Sequence, residues 1–287
     1  MAEETGRGVV WITGASSGIG WASALVLARQ GWTVAASARN VRMLKNLASR
    51  HESIHAYPLD VTDAESRAVT YKKICDDLGW VEVLVNNAGY GLRGAVEEMQ
   101  MHQVRDLYDV NVFAPLALTR LVLPEMRKRR IGRIVNISSV VGRVAFPLNG
   151  IYSSSKFALE GWSDALRIEV RPWNIKVALV EPGPIKTKFG RTAKDKSLQR
   201  LMDSGSPYER HYKEFLESGF MSIGAPWSAS TAAHAVKRAV EDSRPFARYP
   251  VHYLAWIAPL LSKILPTSVM DRIMGLPLGF NSPVEGE

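Results

Sequence analysis

The chain alternates short, almost continuously apolar runs with longer segments of helical length, and this alternation restricts the fold more than any other feature. Apolar runs without polar alternation are typical of strands in a parallel sheet, because helical crossovers cover both of its faces. We therefore predict an α/β fold, a doubly wound, seven-stranded, mostly parallel sheet with helices on both faces. The predicted strands are residues 8–12, 33–38, 54–59, 81–85, 133–137, 176–180 and 246–251, and the predicted helices are residues 19–30, 41–50, 64–78, 101–130, 152–171 and 226–241.

The alternation breaks in two places, and neither has the composition of a linker. Of the 287 residues, 46% are hydrophobic, which is enough for a large core, so we predict one catalytic domain over residues 1–250. Within it, residues 184–225 mix aromatic and charged side chains, as a lid over an apolar substrate would. Residues 251–287 form an apolar C-terminal extension rather than a second domain.

The first predicted strand runs into a glycine-rich loop, Thr13-Gly-Ala-Ser-Ser-Gly-Ile-Gly20, that opens a helix. Gly14 allows a tight turn, Gly18 lets the backbone approach a pyrophosphate, and Gly20 allows the helix to pack closely on the strand. The same residues satisfy Gly-x-Ser-x-Gly, the nucleophile elbow of serine hydrolases. A hydrolase elbow follows several strands, whereas a single strand precedes this loop, so we favour a dinucleotide-binding loop.

The predicted helix 152–171 opens with Tyr152 and Lys156, which lie one turn apart on the same face. A free phenol titrates near pH ~10, so proton transfer near neutrality requires a pKa lower by roughly 2–3 units, or about 3–4 kcal/mol. A cation about 4 Å away supplies about 4 kcal/mol at an effective dielectric constant of about 20. Tyr152 is therefore a candidate proton donor whose pKa Lys156 lowers.

Polar residues end two further predicted strands, at Asn86-Asn-Ala-Gly89 and at Asn136-Ile-Ser-Ser139. The carboxyl ends of parallel strands share one sheet edge, where ligands bind in such folds. With these motifs, residues 8 to about 188 strongly resemble the short-chain dehydrogenase/reductase family in its compact, single-domain, Rossmann-type form. Residues 83–91 and 152–161 are most similar to the NADP(H)-dependent hydroxysteroid and retinol dehydrogenase branch.

The resemblance implies a role for each matching residue. Tyr152 would be the general acid in reduction and the base in oxidation, Lys156 would also bind the nicotinamide ribose, and Ser139 would hold the carbonyl oxygen. The implied catalytic set is Asn111, Ser139, Tyr152 and Lys156, without a metal ion. The implied cofactor-binding residues are Gly14, Ser16, Ser17, Gly18, Ile19, Gly20, Arg39, Asp60, Val61, Asn87, Ala88, Gly89, Tyr152, Lys156, Pro182, Gly183, Ile185 and Thr187.

Asn111 interrupts the apolar stripe of the predicted helix 101–130, and a buried asparagine needs hydrogen-bond partners. Pro115 lies four residues later and has no N–H, so the carbonyl of Asn111 loses its helical donor and the helix should kink there. We hypothesise that this carbonyl holds a water molecule that links Lys156 to solvent. A structural kink without such a water is the alternative.

The end of the second predicted strand bears on the choice of nicotinamide cofactor. An NAD-specific site places an acid there to bind the ribose 2′-hydroxyl, whereas an arginine can bind a 2′-phosphate. This strand ends in Ala38, and Arg39 follows. We therefore predict NADP(H) as the cofactor.

Together these residues predict an NADPH-dependent carbonyl reductase, reversible as a secondary alcohol dehydrogenase, for a lipophilic ketone or alcohol that is steroid- or retinoid-like. The alternatives are a 3-oxoacyl thioester reductase and a non-catalytic NADP(H)-binding sensor. The net charge is +8, but the densest basic run, residues 127–133, follows a helix and lacks interleaved aromatic residues, so we predict no nucleic-acid partner.

Two further features concern the location and assembly of the chain. Cys75 is the single cysteine and residues 1–8 are polar, which favours a cytoplasmic protein without a signal peptide. The apolar segment 251–265 is too short to span a bilayer. It leaves three roles open: packing beside the substrate, forming the interface of a homodimer or homotetramer, or contacting a membrane peripherally.

Overall fold

The structure is a computed structural model that describes residues 7–186, 201–202, 205–217 and 227–282. Its strands are β1 (Arg7–Thr13), β2 (Trp32–Ala38), β3 (Ile54–Pro58), β4 (Val81–Asn86), β5 (Gly132–Ile137), β6 (Ile175–Glu181), β7 (Ile185–Lys186), β8 (Trp227–Ser228) and β9 (Arg248–Pro250). Seven of them form one sheet in the order β3-β2-β1-β4-β5-β6-β9, with every neighbouring pair parallel, and β7 and β8 form a separate parallel pair. The predicted doubly wound α/β sheet is confirmed.

The helices join these strands and cover both faces of the sheet. They are α1 (Gly18–Ala28), α2 (Val41–Ala48), α3 (Ala64–Leu78), α4 (Met101–Tyr108), α5 (Ala114–Arg129), α6 (Gly150–Glu169), α7 (Glu209–Glu217), α8 (Ala229–Glu241), α9 (Tyr253–Ile264) and α10 (Thr267–Gly275). Shorter 3₁₀ segments lie at Val96–Glu98, Val140–Gly142, Arg171–Trp173 and Leu276–Leu278.

Strand β1 shows why the apolar runs are continuous, because its side chains supply two different cores. Val10 and Ile12 pack in the cluster that contains residues of α1, α2 and α8, whereas Val9 and Trp11 pack in the cluster on the opposite face with residues of α3 and α5. Successive side chains of a strand point to opposite faces, so a central strand covered on both sides has no polar position.

The predicted helix 101–130 is not one helix. Between α4 and α5 the chain forms a π-helical segment, Asp109–Phe113, in which the N–H of Ala114 donates to the carbonyl of Asp109. This segment ends at Phe113, two residues before Pro115, which has no N–H to continue an α-helical ladder. The interruption predicted near Pro115 is thus a π-helical segment, called the π-turn below, that separates two helices.

The C-terminal extension packs on the sheet's carboxyl edge. In α9 and α10, Ala255, Ala258 and Met270 form an apolar cluster with Val140 and Val144, which follow β5. In the described part of the chain, no helix is both long enough and apolar enough to cross a membrane. The extension therefore covers the edge at which the predicted site residues lie.

Candidate active site

Hydrogen bonds join the glycine-rich loop to the end of β4. Asn87 Nδ2 donates to the carbonyl of Thr13 at 2.8 Å and to that of Gly14 at 3.2 Å. The Thr13 hydroxyl accepts from the backbone N–H groups of Asn87 and Ala88, both at 3.1 Å. A Cβ on Gly14 would lie 2.8 Å from the Cα of Ala88, and the φ angle there is +65°, so the position requires glycine. Loop and strand end are thereby fixed against each other.

The first turn of α1 is suited to an anion. Ser17 is its N-cap residue, but the Ser17 side chain makes no capping hydrogen bond, and no acidic residue lies in the first turn. Gly18 has a φ angle of +57°, and a Cβ on Gly20 would collide with Asn87 Nδ2. Exposed N–H groups and the positive end of a helix dipole bind phosphates. These residues fit the pyrophosphate of a nicotinamide dinucleotide.

Tyr152 lies near the start of α6, and its hydroxyl is hydrogen-bonded to Ser139. Burial raises the pKa of Tyr152 to about 12, although the hydrogen bond with Ser139 and the positive charge of Arg93 both lower it. Arg93, which the sequence analysis did not single out, is a cation that acts on the phenol. The effect of Lys156 on this pKa stays a prediction.

Lys156 is buried and faces the end of β5. Its Nζ donates to the carbonyl of Ile137 at 2.8 Å. Burial lowers the pKa of Lys156 to about 8, against the attraction of Glu160, which raises it. A lysine with a lowered pKa can exchange a proton near neutral pH.

An ionic cluster around two buried glutamates, Glu160 and Glu181, lies behind Lys156 and joins the elements that carry the site. Arg248 of β9 lies 3.0 Å from Glu160, 2.6 Å from Asp164 and 3.1 Å from Glu181. Arg143, which follows Ser139 in the chain, lies 3.0 Å from Glu181 at the end of β6. Burial, together with the negative charge of Glu181, raises the pKa of Glu160 to about 7. The cluster therefore joins α6, β6, β9 and the segment after β5.

Asn111 has the partners that a buried asparagine needs. Its Oδ1 accepts from the N–H of Tyr90 at 3.1 Å, and its Nδ2 donates to the carbonyl of Tyr90 at 3.0 Å and to Ser155 Oγ at 3.1 Å. These bonds fix the π-turn to α6 and to the loop after β4. The water proposed at the Asn111 carbonyl stays a prediction.

A cavity of about 470 Å³ runs along this sheet edge. Its polar wall contains most of the predicted site residues, namely Gly14, Ser17, Gly18, Ile19, Asn87, Ala88, Gly89, Ser139, Tyr152, Lys156, Pro182, Gly183 and Ile185. Its apolar wall comes from the C-terminal extension, with Leu254, Ile257, Ala258, Leu261, Ile273 and Met274. Of the three roles left open for residues 251–265, packing beside the substrate site is the one observed.

The other predicted residues lie outside this cavity. Arg39 and Asp60 follow β2 and β3 at the same sheet edge, and the positive charge of Arg39 helps lower the pKa of Asp60. Ser16, Gly20 and Val61 do not line the cavity either. Thr187 lies outside the described residues, as do parts of the predicted lid 184–225. Within the predicted lid, α7 packs against the rest of the chain, because its Tyr212 and Phe215 are fully buried.

Sequence reasoning missed Arg93 and Asn149 as contributors to the cavity, and it left the position of the C-terminal extension open between three roles. Arg93 lies only four residues beyond Gly89, so its place after a strand end was the available signal. The extension carried an apolar pattern, but nothing local in it indicates which surface it covers.

The comparisons with known proteins agree with this geometry. The family model of the short chain dehydrogenases matches residues 8–198. An uncharacterized oxidoreductase of Bacillus subtilis, YusZ, is 34% identical over 273 residues, which are 92% of this chain and 95% of that protein. This chain belongs to the short-chain dehydrogenase/reductase family. It is accordingly an oxidoreductase that acts on CH–OH or C=O groups with a nicotinamide cofactor.

Other similar proteins cover less of the chain or differ more in sequence. A 3-ketodihydrosphingosine reductase of Bacteroides thetaiotaomicron is 40% identical over 181 residues, 63% of this chain and 65% of that protein. A short-chain dehydrogenase structure from Streptomyces avermitilis has a TM-score of 0.75 at 32% identity, covering 99% of this chain and 100% of that one. The structure of ElxO with NADP bound has a TM-score of 0.70 at 28% identity, covering 85% of this chain and 97% of that one.

Proposed function

We propose that this dehydrogenase is an NADPH-dependent carbonyl reductase, reversible as a secondary alcohol dehydrogenase, for lipophilic ketones or alcohols of steroid- or retinoid-like size. The observation that carries the proposal is the cavity in which the hydrogen-bonded pair of Ser139 and Tyr152 faces an apolar wall. A large apolar ligand is buried by such a wall, while the polar pair fixes its carbonyl group.

In this proposal the chain's own residues bind the carbonyl and move the proton. The dinucleotide, when bound, supplies the hydride. Ser139 donates a hydrogen bond to the carbonyl oxygen, where negative charge develops, and Tyr152 gives that oxygen its proton. Lys156 holds the nicotinamide ribose and returns a proton to Tyr152, and Asn111 holds the water that leads to solvent.

Two observations support the preference for NADPH and for a ketone. Arg39 follows β2 where an acid would bind a ribose hydroxyl, and its charge can meet a 2′-phosphate. Similar proteins include one with NADP bound and one named a 3-ketodihydrosphingosine reductase. Reduction of a 3-oxoacyl thioester is the alternative.

The activity is tested with NADPH and a panel of ketones of increasing apolar size, from acetone to a steroid ketone and a retinal, beside a 3-oxoacyl thioester. We expect kcat/KM to rise with apolar size, because each buried CH₂ contributes about 0.8 kcal/mol. A panel in which only the thioester is reduced supports the alternative. Absence of NADPH consumption with every compound contradicts the proposed reductase.

The cofactor preference is tested by replacing Arg39 with Asp. We expect the ratio of kcat/KM for NADPH to that for NADH to fall at least about tenfold, since a charge-assisted hydrogen bond contributes roughly 1.5–3 kcal/mol. Arg50→Asp is the matched control, because Arg50 is an exposed arginine beyond the end of α2. An unchanged ratio in Arg39→Asp contradicts the assignment.

We also propose peripheral membrane contact through residues 251–265 and assembly into a homodimer or homotetramer. Nine of the 21 exposed large apolar side chains in the described part lie between Tyr253 and Leu276, which makes this a concentrated patch. Trp256 is 66% exposed and Ile264 is 68% exposed. Ile257, Leu261 and Ile273 also line the cavity. Contact of this patch with a bilayer would therefore place the cavity next to lipophilic substrates dissolved there.

Flotation with vesicles of anionic phospholipid tests the membrane contact, and light scattering tests the assembly. We expect the wild-type protein to float with the vesicles. The double variant that combines Trp256→Ser and Ile264→Ser should remain at the bottom of the gradient. Phe246→Ser is the control, because Phe246 is 63% exposed but precedes β9 at the opposite sheet edge. Equal flotation of the double variant and of Phe246→Ser contradicts the membrane contact. If light scattering shows that only the double variant has lost the mass of the oligomer, the patch is a subunit interface.

A further inference from the structure

Arg93 is a buried cation at the reacting end of the cavity. It lies in the loop between β4 and α4, its residue is only 4% exposed, and it lines the same cavity as Ser139 and Tyr152. Its positive charge and the phenol of Tyr152 influence each other's pKa. The guanidinium is thus close enough to the proton donor to contact a ligand held there.

Helix α7 fixes the loop that carries this arginine. The guanidinium lies over the ring of Phe215, 5.4 Å from the ring centroid. One turn earlier in α7, the Tyr212 hydroxyl accepts from the N–H of Ala95 at 2.8 Å and donates to Glu98. A guanidinium held over an aromatic ring loses less entropy on binding a ligand than a free one, so the group is preorganised.

The charges along the cavity are of one sign. Among the lining residues that the structure describes, Arg93 and Lys156 are the charged ones, and none is an acid. Lys156 Nζ donates to the carbonyl of Ile137, at the end of β5, and has its proposed role at the ribose. Arg93 is therefore the cation that faces the substrate rather than the proposed ribose site.

Most of the remaining substrate space is apolar. Leu254, Ile257 and Leu261 of α9, with Ile273 and Met274 near the end of α10, form the wall contributed by the C-terminal extension. A ligand that fills both parts of the cavity must be amphipathic, with an apolar body and an anionic group near its carbonyl.

We propose that Arg93 binds a carboxylate of the substrate, so that the preferred substrates are oxo carboxylic acids with a long apolar tail. This assignment rests on the proposed carbonyl reductase and names its substrate class. The planar guanidinium binds both oxygens of a carboxylate, and in a buried site such a pair discriminates strongly against a neutral ester.

The test compares oxodecanoic acids, which differ in the position of the ketone, with their methyl esters. NADPH consumption gives kcat/KM for acid and ester in wild type, Arg93→Leu and Arg93→Lys. We expect the acid-to-ester ratio to fall about 10- to 100-fold in Arg93→Leu and less in Arg93→Lys. The ratio removes any common change in rate, which is needed because Arg93 also acts on Tyr152.

Arg105→Leu is the matched control, since Arg105 is an exposed arginine on α4. The same acid-to-ester ratio in Arg93→Leu and wild type overturns the assignment. So does an Arg93→Leu variant whose only kinetic change is a raised KM for NADPH, because the arginine then serves the dinucleotide. If Arg93→Leu does not fold, Arg93→Gln is used for the same comparison.

A binding measurement separates this assignment from the proposed function. Calorimetry with decanoate and methyl decanoate, neither of which has a ketone to reduce, measures the carboxylate contact without turnover. We expect decanoate to bind wild type about 10- to 100-fold more tightly than Arg93→Leu. If no ketone is reduced while decanoate still binds through Arg93, the reductase proposal fails alone. Equal decanoate affinity in both proteins overturns the carboxylate site.

Discussion

Replacing Lys156 with Met should stabilise the fold at neutral pH while it removes the proposed proton path. Lys156 has a pKa of about 8 in the folded chain against an ordinary 10.5. The difference corresponds to about 3 kcal/mol by which burial of the charged form destabilises the folded state. A methionine of similar volume bears no such cost.

Part of this gain is lost, because the substitution removes two favourable interactions. The Ile137 carbonyl loses the donor at 2.8 Å, and the attraction to Glu160 disappears. A buried acceptor without a partner costs about 1–3 kcal/mol. We therefore expect Lys156→Met to unfold with a free energy about 1–2 kcal/mol higher than wild type at pH 7.

The stability difference between wild type and Lys156→Met should change with pH in one direction. Below pH ~8 Lys156 is protonated in both the folded and the unfolded state of wild type, so the full cost of burying its charge is present. Between about 8 and 10.5 the folded state has lost the proton while the unfolded state keeps it, so wild-type stability rises with pH. The advantage of Lys156→Met therefore shrinks over this window and disappears or reverses by about pH 10.5.

Urea unfolding followed by tryptophan fluorescence at neutral and alkaline pH measures both effects. Lys128→Met is the control, because Lys128 is an exposed lysine in the last turn of α5 and should show no such pH dependence. A Lys156→Met variant that is less stable than wild type at pH 7, or whose stability difference does not change with pH, refutes the reasoning.

Four further substitutions test other parts of the site and the fold. Gly183→Ala should raise the KM for NADPH and destabilise the fold by about 1–3 kcal/mol, because its Cβ would lie 2.5 Å from His252 Cβ. In Gly161→Ala, where a Cβ meets nothing within 4 Å, we expect about 0.5–1 kcal/mol of stabilisation in thermal unfolding instead. In wild type, the free energy of unfolding should fall as the pH rises from 4.5 to about 7, because the folded state keeps the proton of Glu160 up to the higher pH and the unfolded state does not. Glu160→Gln should remove this fall, which a series of urea unfolding curves across the range measures. Pro115→Ala should lower kcat and change its solvent isotope effect, and an unchanged pair of values would contradict the proposed water at the π-turn.

The sheet was predictable from the sequence because its signal is local. Continuous apolar runs predict strands covered on both faces, and polar residues after 85 and 137 predict a shared edge. The predicted strand 246–251 is shorter in the structure, Arg248–Pro250, because only those residues pair with β6. β7 and β8 were not predicted, since two-residue strands leave no periodic pattern.

The parts that could not be predicted depend on tertiary surroundings. Nothing in residues 101–130 distinguishes a π-turn from an α-helical kink before Pro115, because both are compatible with the same apolar stripe. The pKa of Tyr152 depends on how deeply its hydroxyl is buried and on Arg93, which lies 59 residues earlier in the chain. The wall formed by α9 and α10 depends likewise on a partner surface far away in the sequence.

The central claim is that Tyr152 donates the proton in an NADPH-dependent carbonyl reduction. The most direct measurement is kcat/KM for NADPH consumption with a lipophilic ketone, with the alcohol product quantified, in wild type and in Tyr152→Phe. We predict equimolar NADPH consumption and alcohol formation in wild type, and a loss of about 10²- to 10⁴-fold in kcat/KM in the variant. A folded Tyr152→Phe protein that reduces the ketone at the wild-type rate contradicts the account.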